Sequence, residues 1–440
     1  MDRCCRRTEY GYVAEVVLAE AGDKDKVIRV DTDNDGLWTS MYGAAQCFEY
    51  AATKSDVAKT RADNAFRAVA FLSEVPQGGK HAPPRGFPAR SILPISGRNP
   101  NLHDSPEHDR ERQKADPLWK VIVPRWPVSA DGQWYWKTDT SSDELDGHFF
   151  FYALYHDLAA VNESDKQKVR EVVERITTHL IDHDYSLVDH DGQPTRWGQF
   201  GPSVLNTDKL TDCRGLNSIS ILSYLLVASH VTGDPKYDRE YRKLLFDHHY
   251  FTNVLVPKHQ NGPGSGNQSD DEMAFMCYYN LLNYEKDPVI RKQYMRSMMR
   301  YFSLEESELC PLFNFVFAAF YEPSADGPFD EAQIVSDAMD TLKRFPLDRI
   351  RRGHKNSHRL DIIPLGKHIP QARGKGLRRN GKVLPIDERF VGHWNHDPWR
   401  LDEGEGGREM ADGAAWLLPF WMGHYHQLMQ ETSGTSVSNP

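Results

Sequence analysis

The chain has 440 residues, of which 39% are hydrophobic and 11% aromatic, and this is enough apolar side chain to close a large core, which excludes a wholly disordered protein. Its 53 Lys and Arg residues stand against 63 Asp and Glu residues, for a formal net charge of −10. Because no long Lys/Arg run offsets this acidic balance, neither nucleic acid nor an anionic membrane surface is expected as the main partner.

The N-terminus and the cysteines bear on location. The sequence begins MDRCCRR and continues with acidic and polar residues, without the apolar run and small-residue cleavage site of a secretory signal. No stretch reaches the roughly 20 consecutive apolar residues of a membrane span. We therefore expect a cytoplasmic protein as written, or a secreted one if upstream sequence is missing. The six cysteines are scattered without a C-x-x-C pair, and Cys47 and Cys277, inside apolar helical patterns, are expected to be buried.

The first predicted element is a β-hairpin within residues 1–32. Residues 12–17 and 27–30 are rich in Val and Ile and flank a turn. A lone hairpin is marginally stable. This one must therefore pack on the helices that follow, or be the end of an upstream β domain.

Helical hairpins dominate the rest of the chain. Apolar residues recur at i, i+3 and i+4 over 38–53, 143–161, 216–232 and 270–284. After each stretch comes a short polar break with an Asp at or beside the start of a second helix, and Pro235 and Pro288 lie in the first turn of two of them. Further helices are predicted at 306–321, 330–344 and 412–429, which gives about eleven.

The connections between hairpins favour a closed architecture. Long polar segments rich in Trp, Pro and Gly occupy 76–136, 184–213, 250–268 and 345–410, and loops of this length usually carry function. An open solenoid would have a near-constant repeat length, whereas these breaks are unevenly spaced and the extra length precedes the first helix of each pair. We predict an all-α toroid over 33–430, with loops of one rim forming a pocket, and a disordered tail at 431–440.

Two helices open with the same four-residue pattern, Ser-x-Asp-Glu, at 141–144 and 269–272. A capping box accounts for the Ser and the Glu of each, but not for Asp143 and Asp271. Carboxylates at one helix mouth suit acid–base chemistry at a glycosidic bond, and the alternative is solvated charge at a helix end. The candidate catalytic residues are Asp143, Asp271, Asp146 and the neighbouring His148.

A third motif begins at Asp31, where Asp31, Asp33 and Asp35 match the first half of a D-x-D-x-D-G calcium loop. Tyr42 occupies the twelfth position in place of Glu, so an EF-hand is not expected. A calcium site of another kind, sugar-binding carboxylates and an Asx turn leading into the helix all stay open. We otherwise expect no cofactor and no metal, since the C-terminal histidines lack metal-ligand spacing.

Candidate binding residues lie in the long loops and at helix starts. Lys137, Arg196, Arg214 and Asn217 could recognise an acidic sugar, because Arg binds a carboxylate through two hydrogen bonds; structural ion pairs are the alternative. Sugar faces stack on aromatic rings, although such rings also clamp loops. The tryptophans that qualify are Trp38, Trp134, Trp136, Trp197, Trp394 and Trp399.

Three stretches together resemble the six-hairpin glycosidase superfamily: DNDGLWTSMY at 33–42, SSDELDGH at 141–148 and WLLPFWMG at 416–423. The resemblance covers residues 30–430 and implies an (α/α)6 toroid. It also implies an activity near that of uronate-acting hydrolases (glucuronidases and unsaturated glucuronyl hydrolases) or polysaccharide lyases. In the uronyl hydrolases two catalytic Asp residues lie near inner-helix ends, and Asp143 and Asp271 fit that description.

Three hypotheses follow. The first is a glycoside hydrolase acting on a uronic-acid-containing oligo- or polysaccharide, with Asp143 and Asp271 or Asp146 as acid and base and Arg196 and Arg214 binding the carboxylate. The second is a lyase on the same toroid that cleaves uronate linkages by β-elimination. Its candidate residues are His148, Tyr152, Asn217 and Arg214. The third is a helical-repeat binding protein without catalysis.

Overall fold

The computed structural model describes residues 6–7, 10–29, 33–323, 327–392, 395–404 and 406–429. In this part of the chain the structure is mainly helical. The helices are α1 (Asp35–Thr53), α2 (Asp56–Leu72), α3 (Pro106–Ala115), α4 (Ser142–Leu154), α5 (Glu163–Asp182), α6 (Pro202–Leu205), α7 (Arg214–Thr232), α8 (Pro235–Arg242), α9 (Tyr250–Asn253), α10 (Ser269–Tyr284), α11 (Pro288–Glu305), α12 (Pro311–Phe320), α13 (Glu331–Arg344) and α14 (Ala414–Tyr425).

Six helices form a closed inner ring. In ring order they are α1, α4, α7, α10, α12 and α14, and each packs on the next, with α14 returning to α1. Outside them α2 packs on α1, α5 and α8 on α7, α11 on α10 and α12, and α13 on α12. The predicted toroid of helical hairpins is therefore confirmed, because an open solenoid would leave its first and last helices apart.

The tight turns between paired helices are built as the sequence indicates. Ser55, Asn162, Asp234 and Asp287 are the N-caps of α2, α5, α8 and α11, and each side chain accepts a backbone N–H of the first turn. Each such cap satisfies a donor that the helix itself cannot pair. One predicted helix, 306–321, is interrupted: Leu309 takes a left-handed conformation with φ 55° before α12 begins.

The long connections share one rim. Four of them lead from an outer helix to the next inner helix, into α4, α7, α10 and α14, so they meet at the N-terminal ends of the inner helices. Short strands stiffen these connections. They are β5 (Ile92–Pro94) with β6 (Trp134–Trp136), β7 (Ser186–Val188) with β8 (Pro194–Gln199), β9 (His354–Lys355) with β12 (Asp402–Glu403), and β10 (Ile362–Pro364) with β11 (Gly376–Arg378).

The N-terminal hairpin is joined to the toroid. β1 (Arg6–Arg7) pairs with β2 (Tyr12–Val13), and β3 (Val16–Leu18) pairs with β4 (Val27–Arg29) and with β13 (Glu409–Met410), the segment just before α14. The Tyr12 hydroxyl donates to the Ala68 carbonyl of α2 at 2.7 Å. The hairpin thus shares one core with the helices. The predicted tail at 431–440 lies outside the described residues.

α7 is long and apolar enough in composition to cross a membrane, yet 83% of its apolar window is buried inside the protein. Burial on nearly all sides is the position expected of an inner helix, which is surrounded by its ring neighbours and by the outer helices.

One carboxylate joins the first two inner helices. Glu144, in the first turn of α4, accepts the backbone N–H groups of Gly36 at 2.9 Å and Leu37 at 3.3 Å, at the start of α1. The predicted capping box at 141–144 is therefore wrong, because Glu144 caps the neighbouring helix and Ser141 donates to Asp143 instead. The second predicted box is also wrong, since Ser269 is the first residue of α10 and Gln268 its N-cap.

We expect Glu144→Ala to lower the free energy of unfolding by about 2–4 kcal/mol, because it leaves two buried backbone donors of α1 without acceptors. Denaturant unfolding followed by circular dichroism measures this. The exposed Glu171→Ala on α5 is the control and should change the stability by less than about 0.5 kcal/mol. Equal effects of the two variants would contradict the role assigned to Glu144.

Candidate functional site

Two half-buried aspartates occupy equivalent places at the loop-bearing rim. Asp143 is the second residue of α4 and Asp270 the second residue of α10. Those helices pack against each other, and Ser142 Oγ of one lies 3.9 Å from Met273 Sδ of the other. First-turn positions place both carboxyls beside the positive ends of helix dipoles.

Asp143 is held by donors from two helices. Asn34, the N-cap of α1, donates its side-chain amide to Asp143 Oδ2 at 2.8 Å. Ser141 Oγ and the Glu144 N–H, at 3.1 Å, both donate to Asp143 Oδ1. Arg90 orients Asn34 through bonds of 3.0 and 3.2 Å to its amide oxygen. The sequence-predicted Asp143 is thus an oriented acceptor at the rim.

Asp270 has a raised pKa. Burial raises the pKa of Asp270 to about 6; Lys258 opposes that shift, whereas the negative charges of Asp212 and Asp143 add to it. Asn267 donates to Asp270 Oδ1 at 2.7 Å. A carboxyl with a pKa near 6 can hold a proton and release it close to neutral pH, as a general acid must.

Glu272 is a buried carboxyl that the structure leaves incompletely bonded. It is 1% exposed, and its Oε2 has no hydrogen-bond partner. Burial raises the pKa of Glu272 well above its usual range, and the charges of Asp143 and Asp412 add to the shift. In the same Ser-x-Asp-Glu pattern Glu144 binds two backbone donors, so the two glutamates play different roles. A raised pKa together with an unbonded buried oxygen makes Glu272 a candidate functional group.

Asp146 lies one turn deeper in α4 than Asp143. Its Oδ1 accepts the Tyr224 hydroxyl of α7 at 2.5 Å and the Cys277 thiol of α10 at 3.1 Å, and its Oδ2 has no partner. Burial raises the pKa of Asp146 to about 7. The predicted residue therefore joins three inner helices and is 1% exposed.

Asp271 lies in a buried ion cluster that involves α11. Its Oδ1 binds Lys258 and accepts the Tyr301 hydroxyl at 2.7 Å, and Lys258 also binds Glu305 at 3.0 Å. Burial and the charge of Glu305 raise the pKa of Asp271. Asp270, rather than Asp271, therefore holds the first-turn position equivalent to that of Asp143, because α10 begins one residue earlier relative to its motif than α4 does. The catalytic role of Asp271 stays a prediction.

His148 and Tyr152 are both completely buried. Their side chains approach each other at 3.3 Å, and Tyr152 stacks edge-on with Phe66 of α2. Burial lowers the pKa of His148 to about 3 and raises that of Tyr152 above its usual range. Neither side chain reaches solvent, so the predicted roles in catalysis and in a lyase reaction lack access to a substrate.

The predicted cationic residues are bound within the protein. Lys137 pairs with Asp33 at 2.5 Å, and Arg196 binds both oxygens of Asp116 at 2.9 and 3.1 Å. Arg214 donates to the carbonyls of Leu205 and Thr207 at 2.5 Å each. Asn217 likewise donates to the Gln199 carbonyl at 2.9 Å, joining β8 to α7. Lys137 and Arg196 thus form structural ion pairs, and Arg214 and Asn217 form hydrogen bonds to backbone carbonyls.

The predicted tryptophans fall into two groups. Trp38, Trp134, Trp136 and Trp399 are at most 8% exposed, and Trp399 donates to Glu308 at 2.7 Å. Trp197 is 37% exposed, with the Arg196 guanidinium 3.7 Å from its ring centre. Trp197 alone of these five offers a face to solvent, and Trp394 lies outside the described residues.

The acidic motif before α1 is divided among different partners. Asp35 Oδ2 accepts the Ser91 hydroxyl at 2.9 Å and the Ile92 N–H at 3.1 Å. Burial would raise the pKa of Asp33, but Arg90 and Lys137 lower it to about 2. Asp31 lies outside the described residues. The calcium alternative stays a prediction, and the contacts of Asp33 and Asp35 give each a structural partner.

Sequence reasoning missed Asp270, Glu272 and Arg90 as contributors to the site. The signal for the first two was present, because a run of Asp-Asp-Glu at a helix start exceeds what capping requires. Arg90 lies in a long loop and forms its hydrogen bonds to Asn34 across 56 residues of sequence. No local sequence pattern therefore predicts that Arg90 contributes to the site. Together these groups supply one oriented acceptor and one readily protonated acid, which is the division that acid–base catalysis needs.

Comparisons with known proteins give only distant likenesses. No protein-family model and no curated protein matches the sequence. A solved single-mutant thermostable endoglucanase from Alicyclobacillus acidocaldarius is 12% identical with a TM-score of 0.44, covering 97% of this chain and 82% of that one. The GH76A alpha-1,6-mannanase from Salegentibacter sp. HEL1_6 is 12% identical with a TM-score of 0.32, covering 96% and 94%. At these values neither a family nor a substrate is assigned to this chain.

We expect Asp146→Asn to remove part of the pH dependence of stability. The pKa of Asp146 is about 7 in the folded state and about 4 in the unfolded chain. Between about pH 4 and about pH 7 the folded protein therefore keeps a proton on Asp146 that the unfolded chain releases. The free energy of unfolding of the wild type should thus fall as the pH rises through this range. The free energy of unfolding of Asp146→Asn minus that of the wild type should therefore be about 1–3 kcal/mol more favourable to the variant at pH 8 than at pH 4.5. Denaturant unfolding at both pH values measures this, and parallel profiles would contradict it.

Proposed function

We propose that this chain is a glycoside hydrolase in which Asp270 is the general acid and Asp143 the base or nucleophile. The observation that carries the proposal is the pair of half-buried carboxyls in equivalent first turns of two packed inner helices, with the pKa of Asp270 raised to about 6. Cleavage of a glycosidic bond requires two carboxyl groups, one of which can carry a proton to the leaving oxygen.

The proposed reaction uses both groups in one step. The protonated Asp270 gives its proton to the glycosidic oxygen as the bond from that oxygen to the anomeric carbon breaks. Asp143 either removes a proton from the water that attacks the anomeric carbon or attacks that carbon itself, in which case water later releases the sugar. The donors from Asn34 and Ser141 hold the Asp143 carboxylate in one orientation, and such orientation lowers the barrier by positioning.

The charge of the substrate is a separate part of the proposal. The sequence favours a uronic-acid-containing glycan, but a uronate would need a cation, and Lys137, Arg196 and Arg214 already bind carboxylates or carbonyls. The rim also carries Asp143, Asp270 and Glu272, so the polar groups that would face a bound sugar there are carboxyls rather than cations. We therefore propose an uncharged glycan as the substrate, with the uronate glycan as the alternative to be tested beside it.

The other two hypotheses have less support. A lyase needs a Tyr or His that can reach the C5 proton of a uronate, and His148 and Tyr152 are completely buried. A helical-repeat binding protein without catalysis has no need of a half-buried Asp with a pKa near 6.

The test is hydrolysis of a panel of neutral oligosaccharides and of uronate-containing ones, followed by reducing ends and by the ultraviolet absorbance of unsaturated products. We expect new reducing ends without that absorbance. Asp143→Asn and Asp270→Asn should each lower kcat by about 100- to 10,000-fold, with kcat/KM in the wild type falling as pH rises through about 6.

The matched control is Asp56→Asn, which changes an exposed first-turn Asp on the outer helix α2 and should leave kcat unchanged. Asp271→Asn is a second variant for comparison with Asp143→Asn and Asp270→Asn. It should lower the melting temperature, because it disturbs the ion cluster around Lys258. Full activity in both Asp143→Asn and Asp270→Asn would contradict the proposal. Formation of an unsaturated product would favour the lyase hypothesis.

A further inference from the structure

The opposite end of the toroid carries a cluster of different chemistry. His156 and Asp157 lie in the π-helical turn Tyr155–Ala159 that continues α4, and His230 lies in the last turn of α7. One ligand atom from each of the three lies within 4.8 Å of the others. The rim with Asp143 is at the N-terminal ends of these helices, so this cluster is a separate place on the molecule.

The distances in the cluster fit those between neighbouring ligands of one metal ion. His156 Nδ1 lies 2.8 Å from Asp157 Oδ1, and His230 Nε2 lies 2.9 Å from the same oxygen and 3.0 Å from Oδ2. Metal–ligand bonds of about 2.0–2.1 Å place adjacent ligand atoms about 3 Å apart. The three side chains therefore need little movement to accept an ion between them.

Supporting groups hold the ligands in place. Tyr284, the last residue of α10, donates its hydroxyl to Asp157 Oδ2 at 2.8 Å and stacks on the His230 ring at 4.1 Å between centres. In metal sites a ligating carboxylate usually accepts a hydrogen bond from an outer-shell group, which is the position of Tyr284 here.

The local field favours a cation. α4, α7 and α10 all end near this cluster, and helix C-termini carry partial negative charge. Asp157 and His230 are 28% and 33% exposed in their side chains, so an ion can enter from solvent and water can complete its coordination. The buried cluster of Asp271, Glu305 and Glu308 contrasts with this one, because the Lys258 ammonium already occupies the position of a cation there.

We propose that His156, Asp157 and His230 form a binding site for one first-row divalent transition metal ion, with Zn²⁺ as the fitting representative. Two imidazoles and one carboxylate suit Zn²⁺ and its neighbours and disfavour Ca²⁺ and Mg²⁺, which prefer oxygen ligands. The ion would bind the C-terminal end of α4 to that of α7, and α10 would be held through Tyr284. Its role is to stabilise the ring, since it lies at the end remote from Asp143.

The test is calorimetric titration of the metal-free 440-residue chain with Zn²⁺, with Mg²⁺ and Ca²⁺ as comparison ions. We expect one Zn²⁺ per chain, no binding of the comparison ions at the same concentrations, and a melting temperature that rises with Zn²⁺. His230→Ala should weaken Zn²⁺ binding by at least about 100-fold, and Tyr284→Phe by about tenfold.

The matched control is His108→Ala. His103 and Asp104 approach each other at 2.7 Å and His108 lies beside them, yet this exposed group is not among the clusters in the described residues whose three ligand atoms come together. Zn²⁺ affinity should be unchanged in His108→Ala. Because His230 is partly exposed, metal-free His230→Ala should still fold, which its far-ultraviolet circular dichroism spectrum checks against that of the wild type. Absent binding, or equal losses in His108→Ala and His230→Ala, would overturn the proposal.

Discussion

The contact on which the candidate site depends is the buried carboxylate of Glu144 against the start of α1. It accepts the Gly36 and Leu37 N–H groups across 108 and 107 residues of sequence. Gly36 is required there, because a Cβ would meet His148 and Glu144. This contact sets α1 and α4 at one height, and it therefore brings Asn34 to Asp143. Without it the acceptor at the rim would lose the donor that orients it.

The polarity of the inner helices divides the molecule into two ends. All six begin at the loop-bearing rim, where positive helix ends stabilise carboxylates, and this is where Asp143 and Asp270 lie. Three of them end around His156, Asp157 and His230, where negative helix ends favour a cation. The same geometry that closes the ring thus favours acid–base chemistry at one end and metal binding at the other.

Charge pairing governs what the rim can recognise. Each predicted cation is held by a carboxylate or a carbonyl, and Arg90 is held by Asn34 and Asp33. For Lys137 and Arg196 the partner is a carboxylate, and breaking either pair would leave that carboxylate without its cation. The carboxyls Asp270, Glu272 and Asp146 have raised pKa values for the complementary reason, since burial penalises their charged forms.

The sequence by itself determined the helical hairpins, the turns with their Ser, Asn and Asp caps, the closed arrangement with elaborated loops on one rim, and Asp143 as a candidate. These depend on local periodicity and capping, which act within a few residues. Only the tertiary structure decided that α4 packs on α10 with Asp143 and Asp270 in equivalent first-turn positions, that Glu144 caps another helix, and that Lys137 and Arg196 are paired. Those outcomes depend on contacts between residues up to 131 positions apart, and such contacts exist only once the ring has closed.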